Sequence, residues 1–431
     1  MRSRALRPGP GRPRAGRARL AATALLAAGV AACSSDGARP RVGGGETHWL
    51  SLCRSEVDCA GWRCLCGVCT AACDGAPCRA GATCFAPGSA ELAAFCGDAA
   101  APATCLAACD DQVPCPAGFA CAEGVCRPRD VAAFTGAEGF AGRLRGGRGG
   151  RVLRVTSLAE SGEGTLQAAL DAPGARTIVF AVSGVIDAPE LTLSHGEVTI
   201  AGQTAPGAGV TLRGRLLAEP QADVADVIVR HLRVRPAYDG SDPLQFDAIQ
   251  LSAVEGLLLD HVSAALAVDD TVDLFAARRI TVQWSTVEAS LDVSLPSGAP
   301  YQGLVAGPSA GEVSIHHVLF THHQDDNPSV AGGPAEVVNN LVYDARHGFA
   351  HHGAASGPFD LVGNAFVAGP SSSLRPVYFD DEATSPDAAL AYYLDGNVVE
   401  GAGSECGEGA LDDPWAQCAY DLGRDASYRV D

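Results

Sequence analysis

Lysine is missing from all 431 residues, so every fixed cation of this chain is an arginine. The glycine-rich stretch Gly146-Gly-Arg-Gly-Gly150 therefore lacks the G-K-[ST] of a phosphate cradle, and a nucleotide loop is excluded there. Also absent, once the first 32 residues are set aside, is any apolar run long enough to span a bilayer as a helix. Acids are in excess, with a formal net charge of −19. Residues 1–32 hold seven arginines and no acid, so their removal leaves −19 − 7 = −26. So acidic a surface argues against nucleic acid and anionic headgroups as partners. It also means that a polyanionic sugar would need a divalent cation as a bridge.

The N-terminus reads as an address. Its basic start leads into the apolar run Leu20–Val30 and then Val30-Ala-Ala-Cys33, the pattern of a secretory signal. Cys33 followed by Ser34-Ser35-Asp36 resembles a bacterial lipoprotein box, which predicts acylation of Cys33 and a membrane-anchored protein at the cell envelope or surface. An ordinary signal peptide with a chance cysteine is the other reading. Residues 33–45 look like a tether.

Of seventeen cysteines, fourteen lie between Cys53 and Cys126 and two are Cys406 and Cys418, an even number in each exported block. Export makes disulfides the expectation, including Cys406 with Cys418, and makes zinc at Cys64-Leu-Cys66-Gly-Val-Cys69 the weaker reading. Residues 46–130 are poor in apolar side chains, so bridges must replace a core. Cys69-Thr-Ala-Ala-Cys73 with Cys78 and Cys84 recurs as Cys105-Leu-Ala-Ala-Cys109 with Cys115 and Cys121, which predicts a tandem pair of knots.

From Gly139 to the end, short β-branched runs recur. Aligned at His231, His261, Trp284, His317, Asn340, Asn364 and Asn397, they step by 30, 23, 33, 23, 24 and 33 residues. That period is a solenoid's, with loops inserted on some turns. An all-β, right-handed parallel β-helix over 139–431 is expected rather than a sandwich, whose hairpins would close at shorter spacing. Its strands should be half-buried, with Asn340, Asn364 and Asn397 stacked at one corner. Thr165-Leu-Gln-Ala-Ala-Leu170, with Thr165 as N-cap and Gly174 as exit, should be a helix capping the first coil.

Blocks in order carry a family resemblance: G-G-R-G-G-R-V-L-R-V, V-T-I-A-G-Q-T-A-P-G, V-I-V-R-H-L-R-V-R-P, L-L-L-D-H-V-S-A, V-D-D-T-V-D, S-I-H-H-V-L-F-T-H-H and V-V-N-N-L-V-Y. Over residues 139–400 the chain resembles the parallel β-helix pectate lyases, in particular the pectate-trisaccharide-lyase-like branch. The resemblance implies β-elimination of a polyuronate, with Ca2+ held by carboxylates and an arginine taking the proton. Residue by residue, it implies Asp269 and Asp273 as calcium ligands, Asp247 as a third, and Asp270 as their neighbour. Carboxylates so gathered repel unless a cation sits among them; the other reading is that Asp269, Asp270 and Asp273 are solvated loop acids.

One departure stands out. Where the family has arginine before N-P and often again after it, this chain has Asp326 and Ser329. With an unperturbed pKa near ~3.9, against above ~12 for arginine, an aspartate neither replaces that base nor attracts a uronate. Substitute bases are sought in His322, His323 and His347, with Asp326 itself kept as a catalytic candidate and Arg346 and Arg375 as cationic help. The stretch from Trp284 to Val313 offers Glu288, Asp292 and Tyr301 to a substrate. Hydrolysis by paired acids is the weaker alternative, because the N-T-D, G-H-G and R-I-K motifs of β-helix polygalacturonases are absent. The expected activity is calcium-assisted action on acidic polysaccharide by a monomeric β-helix. Its rival is a carbohydrate-binding or surface-display protein that kept the groove and lost the base.

Overall fold

The chain divides into Met1–Arg41 and Val42–Asp431. A computed structural model describes residues 49, 56–59, 62–66, 68–73, 77–79, 82–96, 100–110, 113–115, 119–122, 124–128, 132–218, 224–240, 247–291, 302–351, 355–371, 373–379, 390–420 and 422. The signal segment, Cys33 and the tether lie outside them. No helix among the described residues is long and apolar enough to cross a membrane.

The fold is a right-handed parallel β-helix behind a disulfide-rich segment. Its coils stack by parallel pairing into one ten-stranded and one sixteen-stranded sheet. A single buried column runs through the ten-stranded sheet, Ile178, Ile200, Val229, Leu259, Val282, Ile315, Val337, Leu361 and Leu394, each paired with the next. That is the physical content of the repeated β-branched runs: each coil buries its apolar residues only by lying on its neighbours. The sixteen-stranded sheet forks. The long strand Val210–Ala218 carries Leu232–Val234 on its first half and Ile249–Gln250 on its second. It bends at Gly214, where a Cβ would fall 1.6 Å from the Ala188 carbonyl oxygen, so only glycine fits. In later coils that bend opens into a connection between two strands, as between Leu232–Val234 and Ile249–Gln250 or Thr286–Glu288 and Gln302–Ala306.

Three expectations need adjusting. The central strands of the ten-stranded sheet are not half-buried: Glu255–Asp260 is buried from its second residue on, whereas Arg176–Phe180 and Leu390–Asp395 alternate as expected. Residues 132–147 cross the outer face as a strap, where Phe134, Ala141 and Leu144 cover Ile228 and Leu258. Its amides donate to Gln283, Ser314, Thr281, Asp226 and Thr199 side chains at 2.7–3.1 Å. The part of the chain packed on the solenoid therefore begins before residue 139. The aligned series also slips by one residue: His316 pairs with Val338, so His317 shares its corner with Asn339, Gly363 and Gly396, not with Asn340. All of His231, His261, Trp284, His317 and Asn339 there have φ between 51° and 55°.

The asparagine ladder itself forms, one residue further on. The Asn340 amide and Nδ2 both donate to Asn364 Oδ1 at 3.0 Å, and Asn364 repeats this on Asn397 Oδ1 at 3.1 and 2.9 Å. Each Nδ2 also donates to a carbonyl of the preceding coil, Ile315, Val337 or Leu361. Asn364→Ala removes four of these hydrogen bonds and leaves the Asn340 amide without its acceptor in a buried corner; at roughly 1–3 kcal/mol for an orphaned buried group, we expect a loss of about 2–4 kcal/mol. A urea midpoint unchanged by this substitution would remove the ladder from the list of stabilising elements.

Both ends are closed. At the N-terminal end, the helix Leu166–Leu170 buries Leu166, Ala169 and Leu170, and Thr165 accepts from the Ala168 amide as N-cap. At the other end, Tyr392, Phe359, Phe379 and Trp415 pack ring on ring, and Cys406–Cys418 ties the last turn. In the cysteine-rich segment the bridges Cys73–Cys84 and Cys78–Cys105 interleave, as do Cys109–Cys121 and Cys115–Cys126. Cys59–Cys69 and Cys66–Cys96 complete the pairs seen there, and Cys64 is also oxidised, so these sulfurs are not zinc thiolates.

Candidate active site

Strand register builds the site as a column on one face of successive coils. Asp270 pairs with Gln302, and Gln302 bridges to Asp325. The amides of Arg346 and His347 both donate to the Gln324 carbonyl, and His347 pairs with Arg375. The column thus runs from an acidic end, through Gln302, to a cationic end.

At the acidic end Asp247 is buried, and its Oδ1, like Asp270 Oδ1, is sealed from solvent without a hydrogen-bond partner. Burial, reinforced by Asp273 and Asp269, pushes the Asp247 carboxyl well above its usual range. Burial and then Asp247, Asp326, Asp273 and Asp269 do the same to Asp270. Asp273 is better served: its carboxylate accepts from Gln250, Ser252 and the Phe275 amide at 3.3, 3.0 and 2.7 Å. Two unsatisfied buried oxygens amid mutually repelling carboxylates fit a hard divalent cation, which would take both orphans as ligands. Asp247, Asp269, Asp270 and Asp273 are therefore brought together, and Asp326 joins their field. Without an ion, no three of their oxygens come within 4.8 Å of one another among the described residues.

The two positions where arginine was missed are interior. Asp326 is fully buried with φ 62°, and its Oδ2 accepts from Gln302 Nε2 at 2.7 Å. Ser329 is buried in the strand Ser329–Val330. Asp326 as a group that touches substrate is thus corrected: its side chain is turned into the fold, where it adds negative charge behind Asp270.

His322 and His323 are corrected as well. His323 is buried, its Nδ1 bonded to Ser290 Oγ at 2.6 Å, and burial pulls its pKa down to about 4. His322 is exposed but turned toward the neighbouring coil, with Thr321 on its Nδ1 at 2.7 Å, Asp344 at 3.6 Å and the Tyr343 ring against its edge. Sequence alone puts both beside the cleft because H-H precedes the Asn-Pro; the strand pleat sends them elsewhere. Glu288 is committed to Arg235 and Ser263. Asp292 and Tyr301 lie outside the described residues.

His347 is placed differently. Its ring stacks on Tyr378 at 3.7 Å and 12°, and its Nδ1 lies 2.5 Å from Asp325 Oδ1. Burial alone would push the Asp325 carboxyl up, but His347 and Arg346 outweigh it and hold it below the usual range. Arg346 grips the same carboxylate through Nη2 at 2.7 Å and Nε at 3.3 Å. An ionised Asp325 fixes the proton on His347 Nδ1 and leaves Nε2 as a lone-pair nitrogen. Arg346, His347, Ser373, Arg375, Tyr378 and Glu405 line a pocket of about 240 Å³, and Glu405 accepts from Arg375 Nε at 3.0 Å. Gln302, Ser373, Tyr378 and Glu405 do not stand out in the sequence, and Asp325 stands out only as one of the paired acids of the hydrolysis alternative. The period could have found them, since each lies one coil from a residue already named.

Known proteins share part of this sequence. A probable pectate lyase C of Aspergillus terreus is 34% identical over 292 residues, covering 65% of this chain and 67% of the relative. One of Emericella nidulans is 38% identical over 244 residues, 56% of this chain and 54% of the relative's length. Several such fungal relatives are thus matched over little more than half their length. Among solved structures, a thermostable pectate lyase aligns with a TM-score of 0.46 at 13% identity, over 67% of this chain and 90% of its own. The major allergen from cedar pollen aligns with a TM-score of 0.44 at 19% identity, over 66% and 88%. No family model matches the chain. With a third of the 292 aligned residues identical to a relative that it covers over two thirds, and with its own coils stacked as a parallel β-helix, the chain belongs to the pectate lyase family.

Proposed function

We propose that the protein is an exported lyase that cleaves acidic polysaccharide of the polyuronate class by calcium-assisted β-elimination, with the proton acceptor relocated one coil downstream to His347. The observation that carries this reading is the column itself: orphaned aspartate oxygens at one end, and a His–Asp pair flanked by two arginines at the other.

Asp247, Asp269, Asp270 and Asp273 would hold Ca2+. Bound there, the ion would neutralise charge that builds on a uronate carboxylate as its ring proton leaves. The chain's own part is positioning and proton transfer. Arg346 and Arg375 meet carboxylates of the chain lying in the groove. His347 Nε2 accepts the proton from the carbon bearing the carboxylate. That C–H electron pair forms the ring double bond, the bond to the glycosidic oxygen breaks, and the departing oxygen takes up a proton. Asp325 balances the imidazolium that forms. The relatives' printed names, and a Bacillus pectate lyase solved in complex with trigalacturonate, support the polyuronate class.

Seven disulfides among the described residues support folding in an oxidising compartment. A lipid on Cys33 would then anchor the chain to a membrane, and residues 46–130 would serve as a spacer or adhesion module. One observation favours the non-catalytic rival: both arginine positions are occupied by buried, non-basic residues.

Ultraviolet detection of unsaturated uronide on a panel of polyuronates, with calcium and with chelator, separates the two. We expect calcium-dependent product, a loss of about 10²–10⁴ in His347→Gln as for removal of a general base, and little change in His322→Ala. No product, with calcium-dependent binding of a polymer retained, would make the protein a lyase-derived binder. Product undiminished in His347→Gln would move the base elsewhere.

A further inference from the structure

The corner that carries His231, His261, Trp284 and His317 lies between the ten-stranded sheet and the first arm of the forked sheet, whereas the aspartates sit on the other arm. The four rings form a stack, at 4.5 Å for His231 on His261, 6.5 Å for His261 on Trp284 and 4.1 Å for Trp284 on His317. Nothing in the proposed lyase chemistry uses it. Below the first two rings lies Asp260, whose Oδ1 is 3.1 Å from His261 Nδ1. One nitrogen of His231, one of His261 and one carboxylate oxygen of Asp260 all lie within 4.8 Å of one another.

We propose that His231, Asp260 and His261 form a binding site for a divalent transition-metal ion of the zinc or copper class, a clip across two consecutive coils. The donor set is two imidazoles and a carboxylate, which borderline metals favour and calcium does not. Three protein ligands leave open positions to water. Neighbouring side chains fix Asp260 in place. Arg230 Nε donates to its Oδ2 at 2.7 Å and Gln283 Nε2 to its Oδ1 at 2.6 Å, each oxygen retaining a second lone pair. Arg230 lies 3.5 Å over the Phe134 ring of the strap. The site depends on the fold alone: parallel register sets Arg230 on Asp260 and Asp260 on Gln283, and the left-handed corner turns each ring outward.

The experiment uses the full exported chain, freed of metal by chelator and returned to saturating calcium. Zn2+ and Cu2+ are titrated separately by calorimetry, with tryptophan emission followed in the copper series. Expected are one saturable site, quenching of Trp284 by copper, and binding at least tenfold weaker in His231→Asn and in His261→Asn. Asparagine already occupies this left-handed corner as Asn339, so these variants keep the backbone. Trp284→Phe should lose the quench and keep the calorimetric site, and His322→Asn should bind as the parent does. Absence of a saturable site, or equal affinity in the double variant His231→Asn/His261→Asn, overturns the proposal. Lyase activity need not change, so the outcome is independent of the reading given above.

Discussion

Asp247→Asn combined with Asp270→Asn should abolish calcium-dependent turnover and, in chelator, make the protein harder to unfold. The two effects share one cause. Both carboxyls are pushed well up by burial and by their acidic neighbours, and each has an oxygen with no partner. A carboxyl raised on folding contributes stability that is present below its unfolded pKa of about 4 and is lost as pH rises through its folded value. The ion-free parent should therefore melt at lower temperature at pH 8 than at pH 5, and calcium should restore it. The double variant, having no charge there to bury, should lose most of that pH dependence, each unit of relieved shift being worth about 1.4 kcal/mol. Removal of a cation that stabilises developing charge should meanwhile cost on the order of 10²–10³ in turnover. Melting curves at the two pH values, with calcium and with chelator, test the first half; product formation tests the second. A variant no more stable than the parent in chelator would mean that these acids are solvated and hold no ion.

Arg176→Met should be the most damaging single substitution for folding. Arg176 is fully buried, and all five of its N–H groups are used. Nε donates to Ala169 O, Nη1 to Gly174 O and Gly196 O, and Nη2 to Leu170 O and His195 O, at 2.7–3.2 Å. Two of those carbonyls belong to the capping helix Leu166–Leu170, whose last turn has no other cation. Methionine fills the volume but leaves five carbonyls without that donor, those of Ala169 and Leu170 in buried surroundings. Losses above about 4 kcal/mol are exceptional and arise from such broken buried networks, so a fall in melting temperature of roughly 10 °C is expected. Arg176→Lys should rescue only part, since an ammonium has three donors and no planar fork. Thermal unfolding measures this directly, and activity per folded molecule should be unchanged, as the residue is remote from the column. A shift of only a few degrees in Arg176→Met would show that the cap closes without it.

The family and the acid cluster were legible because both rest on local identity. Short β-branched runs at a period of 20 to 30 residues can bury themselves only by stacking, and Asp247, Asp269, Asp270 and Asp273 fall at matching turns of that period. The asparagine ladder was legible for the same reason, though the aligned series slipped by one at His317 because a period alone does not fix a corner. Which of the candidate bases His322, His323 and His347 lines the pocket was not legible. His322 and His323 look equivalent in sequence, but strand alternation and the left-handed turn at His322 send one ring inward and the other toward Tyr343. Asp326 was kept as a catalytic candidate before the Asn-Pro, yet it faces Gln302 inside the fold.

Residue type and spacing along one coil suffice for the solenoid, its closed ends, the paired cysteines and the absence of arginine before the Asn-Pro. They do not suffice to say which coils' side chains share a face, and that was settled by three-dimensional stacking. Asp325, His347 and Arg375 are 22 and 28 positions apart, and parallel register alone makes them neighbours, as it alone brings His231 to His261. The strap 132–147 is the extreme case, meeting partners up to 174 positions away through backbone amides that carry no sequence identity at all.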